Sequence, residues 1–163
     1  MFFLRFENQK GENNWFYAAN ILLIRLNKKF LKLELDLDFV LLAVTCVLKD
    51  YRLCYYINKN LNFSFAKLED HELSYPGQTC RFYSKYLHCT SENSAQYFLL
   101  SNKGSEGYLV PELKSADYFI VIKEFIDDED MDFLVSELKK MNDIQAVVEL
   151  DPAKLKSKEN LIF

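Results

Sequence analysis

Hydrophobic and polar positions alternate with period two from Phe30 onward, where Leu31, Leu33, Leu35 and Leu37 interleave with Lys32, Glu34, Asp36 and Asp38. That period predicts a strand with one buried face and one wet face. Phe39 to Cys46 is apolar without alternation. It fits either a strand buried on both faces or the lead into a helix, and periodicity alone does not separate the two. Val47 to Leu61 reads as a helix, with Val47, Tyr51, Cys54, Tyr55, Ile57 and Leu61 on an apolar face. Lys49, Arg52, Lys59 and Asn60 gather on the other side, and Tyr56 falls among them.

Asn62 to Gln78 has no strong period and ends in Tyr75-Pro76-Gly77-Gln78, a turn in which proline presets φ and glycine permits φ > 0. It reads as a connector. Thr79 to Cys89 and Ala95 to Ser101 read as two strands joined through Thr90-Ser91-Glu92-Asn93-Ser94. A second polar loop, Asn102-Lys103-Gly104-Ser105-Glu106-Gly107, leads to Tyr108-Leu109-Val110, so three successive antiparallel strands are expected as a meander. The last third is the most regular, with a strand at Tyr118 to Ile122, a helix at about Asp128 to Met141 and a strand at Ile144 to Leu150. The helix places Met131, Leu134, Val135, Leu138 and Met141 at helical spacing, with Asp127 to Asp130 at its start and Lys139-Lys140 at its end. Capping explains the acidic run better than a cation loop, which needs spaced oxygen ligands and a turn glycine. Together these elements predict an α+β fold, a two-layer sandwich of a mainly antiparallel sheet with two main helices packed on one face.

The chain has 163 residues, 50% hydrophobic and 15% aromatic, enough for one domain with one core. Residues 27–163 are expected to form that domain. Residues 1–26 differ, since a polar patch from Glu7 to Asn14 interrupts an aromatic start and an apolar run from Trp15. They match neither a membrane span nor a signal peptide, and are expected to be a poorly integrated extension. A net charge of -4 disfavours a phosphate backbone as partner. Cys46, Cys54, Cys80 and Cys89 lack any CxxC pairing and read as small core hydrophobes of a reducing cytoplasm. His71 and His88, the two histidines, sit in no nucleophile motif, and His88 and Cys89 face opposite ways if they share a strand. No metal, cofactor or catalytic signature emerges.

The best-marked stretch is Val110-Pro111-Glu112 followed after three residues by Ala116-Asp117-Tyr118. Pro111 cannot donate to a ladder and suits the first position of a helical turn. Glu112 then lies at that turn's positive end, and Asp117 can accept backbone N–H bonds where the chain enters the next strand. The alternative makes Glu112 and Asp117 an acid and base pair, or two ligands of a divalent ion. These six residues resemble the signature of a bacterial family best known from Bacteroidetes and named after its motif I-P-E-x-x-x-V-D-Y. Val110 and Ala116 depart conservatively from it. The resemblance runs from about Asn27 to the C-terminal residues and implies a small cytoplasmic protein, with no activity, cofactor or substrate attached.

The expected function is therefore a noncatalytic protein-interaction or regulatory module in the cytoplasm, without membrane attachment, with an unknown protein partner or a second copy of itself. Partner contacts are expected at Lys49, Arg52, Tyr56 and Lys59, and at Leu161, Ile162 and Phe163 if the apolar tail does not fold back. One alternative is RNA binding through Phe82, Tyr83, Tyr97 and Phe98 with Arg81 and Lys85 beside them. The other is an enzyme or metal site at Glu112 and Asp117.

Overall fold

The computed structural model describes residues 37–74, 79–90, 95–124 and 126–163, all within one compact unit, Leu37–Phe163. The strand expected over Phe30 to Asp38 and the extension at residues 1–26 fall outside the described residues, apart from Leu37 and Asp38, which are not in a strand. Phe39–Cys46 is a strand, β1. Its unbroken apolar run is explained by its place inside the sheet, where Leu42 and Val44 face one layer while Leu41 and Ala43 face the other.

Helix α1 follows at Asp50–Leu61, and then come the short strands β2 (Ala66–Lys67), β3 (His71–Leu73) and β4 (Arg81–Tyr83). Strands β5 (Lys85–Cys89) and β6 (Gln96–Ser101), a small hairpin of β7 (Lys103–Gly104) and β8 (Gly107–Tyr108), β9 (Tyr118–Lys123), helix α2 (Asp128–Lys140) and β10 (Ile144–Leu150) complete the order, with two 3₁₀ turns in the tail. The main sheet has six strands in the order β10-β1-β9-β6-β5-β2, every pair antiparallel. Because β9 and β10 both run antiparallel to β1 and flank it, α2 carries the chain over β1 from one side to the other.

The helices share one face of the sheet. Leu53, Cys54 and Ile57 of α1 and Leu134 and Leu138 of α2 pack with Leu42, Val44, Leu99 and Ile120. The α2 caps explain where that helix stops and starts: Asp127 accepts the N–H of Asp130 at 2.8 Å, and Lys139 and Lys140 lie in the last turn. The opposite face is also covered, though not by helices. Tyr83, Leu109, Val110, Ala116 and Leu161 cover Phe98, Leu100, Phe119 and Val121. Among the described residues no helix is long and apolar enough to cross a membrane.

Four sequence expectations need correction. The first helix begins at Asp50 rather than Val47, and its apolar face is turned. Leu53 rather than Tyr51 is buried, Val47, Tyr51 and Tyr55 are 71%, 59% and 60% exposed, and Tyr56 packs against the core. The connector at Asn62 to Gln78 contains β2 and β3, too short to show a period. The strand expected at Thr79 to Cys89 breaks at Ser84, which lets Tyr83 enter one core layer and Tyr86 the other. Finally, the third member of the meander is β9, not Tyr108 to Val110. After Tyr108 the chain leaves its hairpin because Asn102 takes over the backbone groups of Leu109 and Val110.

The β7–β8 hairpin fits tightly against β4. A Cβ at Gly104 would sit 2.9 Å from the Phe82 carbonyl oxygen and 3.0 Å from the Tyr83 ring. Gly104→Ala is expected to destabilise the fold by about 1–3 kcal/mol, read as a lower urea midpoint at unchanged m value.

Candidate functional site

The loop from Leu109 to Asp117 owes its shape to Asn102, which is fully buried. The Asn102 side-chain NH₂ donates to the carbonyls of Leu113 and Ala116 at 2.8 and 2.9 Å, and its Oδ1 accepts the N–H of Val110 at 2.9 Å. The Asn102 backbone closes the same ring, with its N–H on the Asp117 carbonyl and its carbonyl on the Leu109 N–H, both at 2.8 Å. Pro111 occupies the second position of a turn closed by Leu113 N–H to the Val110 carbonyl at 3.0 Å, and a second turn follows from Ala116 N–H to the Leu113 carbonyl at 3.1 Å. The sequence pattern presents Asn102 as one polar residue of a hairpin loop. Asparagine next to glycine and lysine is such an ordinary turn composition that nothing in the sequence marked it as buried.

The two motif carboxylates serve different elements. Asp117 accepts the N–H of Cys46, at the end of β1, at 2.9 Å through Oδ2, and pairs with Lys103 through Oδ1. Its backbone N–H bonds the Val44 carbonyl at 2.9 Å. Tyr118 donates its hydroxyl to the Leu48 carbonyl at 2.6 Å, pinning the link from β1 to α1. Glu112 instead reaches the tail, accepting both the N–H and the hydroxyl of Ser157 at 2.8 Å each. Burial raises the Glu112 pKa, but these donors outweigh it and hold the carboxyl below its usual range. Glu112 and Asp117 share no hydrogen-bond partner.

The tail residues offered as a docking peptide mostly face inward. Leu161 is fully buried, and Phe163 packs edge-on against Phe98 at 4.8 Å with the Lys123 ammonium 4.3 Å from its ring centre. Asn160 donates to the Leu109 carbonyl at 2.7 Å. Ile162 alone of the three is exposed. Of the proposed stacking aromatics, Tyr83, Tyr97 and Phe98 are buried and Phe82 is exposed, so they form no open platform. Lys49, Arg52 and Lys59 are exposed, whereas Tyr56 is half-buried.

Cys46 and Cys54 are core residues, with Cys46 raised and Cys54 pushed up to about 12 chiefly by burial, so neither is a ready thiolate. Cys80 is half-buried and Cys89 exposed, a departure from the expected core role. Among the described residues no three His, Cys, Asp or Glu side chains gather as ligands for a metal ion.

His88 points inward and stacks on Phe63 with ring centres 4.2 Å apart. Its Nδ1 accepts the backbone N–H of Ser64 at 3.1 Å and lies 3.1 Å from the Ser64 hydroxyl. The N–H bond requires a bare Nδ1, so the ring is neutral with its proton on Nε2. This geometry resembles a serine and base pair, but an imidazolium formed by taking the serine proton would turn a donor toward the Ser64 N–H.

Comparison with protein-family models, with curated proteins and with solved structures returns no match. The motif corner is thus defined by its own geometry. It opens outward as a cleft of about 640 Å³ bordered by Lys49, Lys103, Lys114, Ser115, Asp117 and Val47.

Asn102→Ala removes three side-chain hydrogen bonds, two of them buried and one part-buried, and leaves two carbonyls and one N–H to find other partners. A loss of about 2–4 kcal/mol is expected in chemical denaturation. Burial also lowers the pKa of both His71 and His88. The folded state therefore favours their neutral forms, and stability is complete above the unfolded histidine value of about 6.5. It should fall as pH drops below that value, while carboxylates are still ionised. Urea midpoints at pH 7.5 and 5.5 check this, and an unchanged or higher midpoint at the lower pH would refute it.

Proposed function

We infer that this chain is a noncatalytic cytoplasmic protein-interaction or regulatory module, its motif corner serving as scaffold for a binding surface. The observation that carries the reading is the separate engagement of Glu112 and Asp117. Glu112 accepts a backbone and a side-chain donor from Ser157 in the tail, whereas Asp117 accepts a backbone donor from β1 and a side-chain donor from β7, the backbone N–H bonds being 2.8 and 2.9 Å long. A general acid and base need to face one reacting centre, and these two carboxylates are held by the tail and by the end of β1. The resemblance to the I-P-E-x-x-x-V-D-Y family belongs to the same proposal and rests on Pro111, Glu112, Asp117 and Tyr118.

What the scaffold leaves outward is chemically suited to a protein partner. Arg52, Tyr55 and Lys59 fall at i, i+3 and i+7 on α1 and are all exposed, with Tyr51 one turn before Tyr55. Tyrosine and arginine are the residue types enriched at protein interfaces and their hot spots, and a lysine suits the polar rim. Tyr55, rather than the Tyr56 expected from the sequence, belongs to this face.

The test is affinity purification of the tagged full chain, with protein and RNA both identified, beside an Arg52→Glu, Tyr55→Ala, Lys59→Glu variant. A protein recovered with the wild type and lost from the folded variant is the expected outcome. Recovery of RNA that survives washing at 0.5 M salt, with no protein dependent on the helix face, would overturn it.

A further inference from the structure

The cleft at the motif corner concentrates positive charge on a chain whose net charge is -4. Lys49 precedes α1, Lys103 lies in β7 and Lys114 in the motif loop, yet all three border the same opening. The carboxylate that borders it is that of Asp117, which is divided between the Cys46 N–H and Lys103; those of Asp50 and Asp143 act on the lining residues Tyr118 and Cys46 but do not border the opening. Among the described residues no ion pair engages Lys49 or Lys114, and the Lys114 ammonium lies 6.0 Å from the Tyr108 ring centre. Local charge therefore runs against the overall balance, which makes the cleft a place that attracts anions. Val47, 71% exposed, adds an apolar lip beside these cations.

The chemistry of the ligand follows from how the donors are distributed. A compact phosphate is best held by a guanidinium fork or by backbone N–H groups converging on one point. Here the cations are ammonium point charges carried by three separate segments around an open cleft of about 640 Å³, with Ser115 and Val47 also among its lining residues. That arrangement matches an extended chain whose carboxylates recur along it and whose apolar side chains fall between. We propose that this cleft binds an extended acidic segment of a partner protein, with carboxylates on Lys49, Lys103 and Lys114 and an apolar side chain on Val47. The proposal rests on the interaction-module reading and names the partner's chemistry.

The experiment is fluorescence anisotropy on the full chain with two labelled peptides of about twelve residues, long enough when extended to cross the cleft. One repeats Glu-Glu-Leu-Leu and the other Lys-Lys-Leu-Leu, so that each face of the extended peptide shows both residue types, and inorganic pyrophosphate serves as a competing small anion. The glutamate peptide is expected to bind, to weaken as salt rises, and to lose at least about tenfold in affinity with Lys49→Glu plus Lys114→Glu. The variant's circular dichroism and melting should be unchanged, since both side chains are exposed. Equal binding of both peptides, binding of neither, or glutamate-peptide binding indifferent to the double variant would overturn the proposal. Pyrophosphate binding that the double variant abolishes, with no glutamate-peptide binding, would also overturn it and mark a small-anion site. A partner lost from the helix-face variant while the glutamate peptide fails to bind would leave the interaction reading standing and remove only this assignment.

Discussion

The buried amide of Asn102 is the constraint on which the motif corner depends. A loop that leaves a strand and crosses the face of a sheet carries backbone groups that neither a helix nor a ladder satisfies, and burying them unpaired is costly. Between Leu109 and Asp117 five such groups find Asn102, three through its side chain and two through its backbone. This lets Leu109, Val110 and Ala116 enter the second core layer as apolar side chains. Without the amide, burying those side chains would bury unpaired carbonyls with them.

From that fixed loop two sets of contacts spread in opposite directions. Asp117 and Tyr118 reach back to Cys46 and Leu48, setting where β1 ends and how the chain turns into α1. Glu112 reaches forward to Ser157 and draws the tail across the sheet, where Leu161 and Phe163 close the second layer. Helix placement on one face and tail placement on the other are thus tied to the same ten residues, Leu109 to Tyr118. A proline followed by two carboxylates in this context looks like chemistry in a sequence because acids are costly to bury and are often reactive. Here they are partly exposed acceptors for backbone donors, a role that composition does not distinguish from catalysis.

The parts legible from sequence were those in which local signals agreed. The β9, α2 and β10 run has helical spacing from Met131 to Met141, an aspartate cap and a basic last turn, all pointing the same way. The phase of the first helix is ambiguous in sequence because Val47, Tyr51 and Tyr55 follow a four-residue spacing as well as any core stripe does. Which of two apolar stripes turns inward depends on the sheet beneath, and the sequence of the helix does not contain it. β3 and the break at Ser84 were invisible because a two- or three-residue strand shows no period. Asn102 was illegible for a different reason: its role depends on carbonyls eleven and fourteen residues away, and its neighbours suit an exposed turn.

The division of the Asp117 carboxylate links scaffold and surface. One oxygen is held by a backbone N–H, a fixed donor that orients the group, and the other faces Lys103. A lysine side chain is otherwise free to sample many rotamers at the surface, so the oriented carboxylate places the Lys103 ammonium at the cleft rather than neutralising the cleft as a whole. The Lys103 pKa is raised mainly by this hydrogen bond and charge, so it stays protonated. Lys49 and Lys114 supply charge that Asp117 does not balance. The residue that closes β1 also positions one of the cations around the opening, so the corner's charge pattern follows from the hydrogen bonds that build its fold.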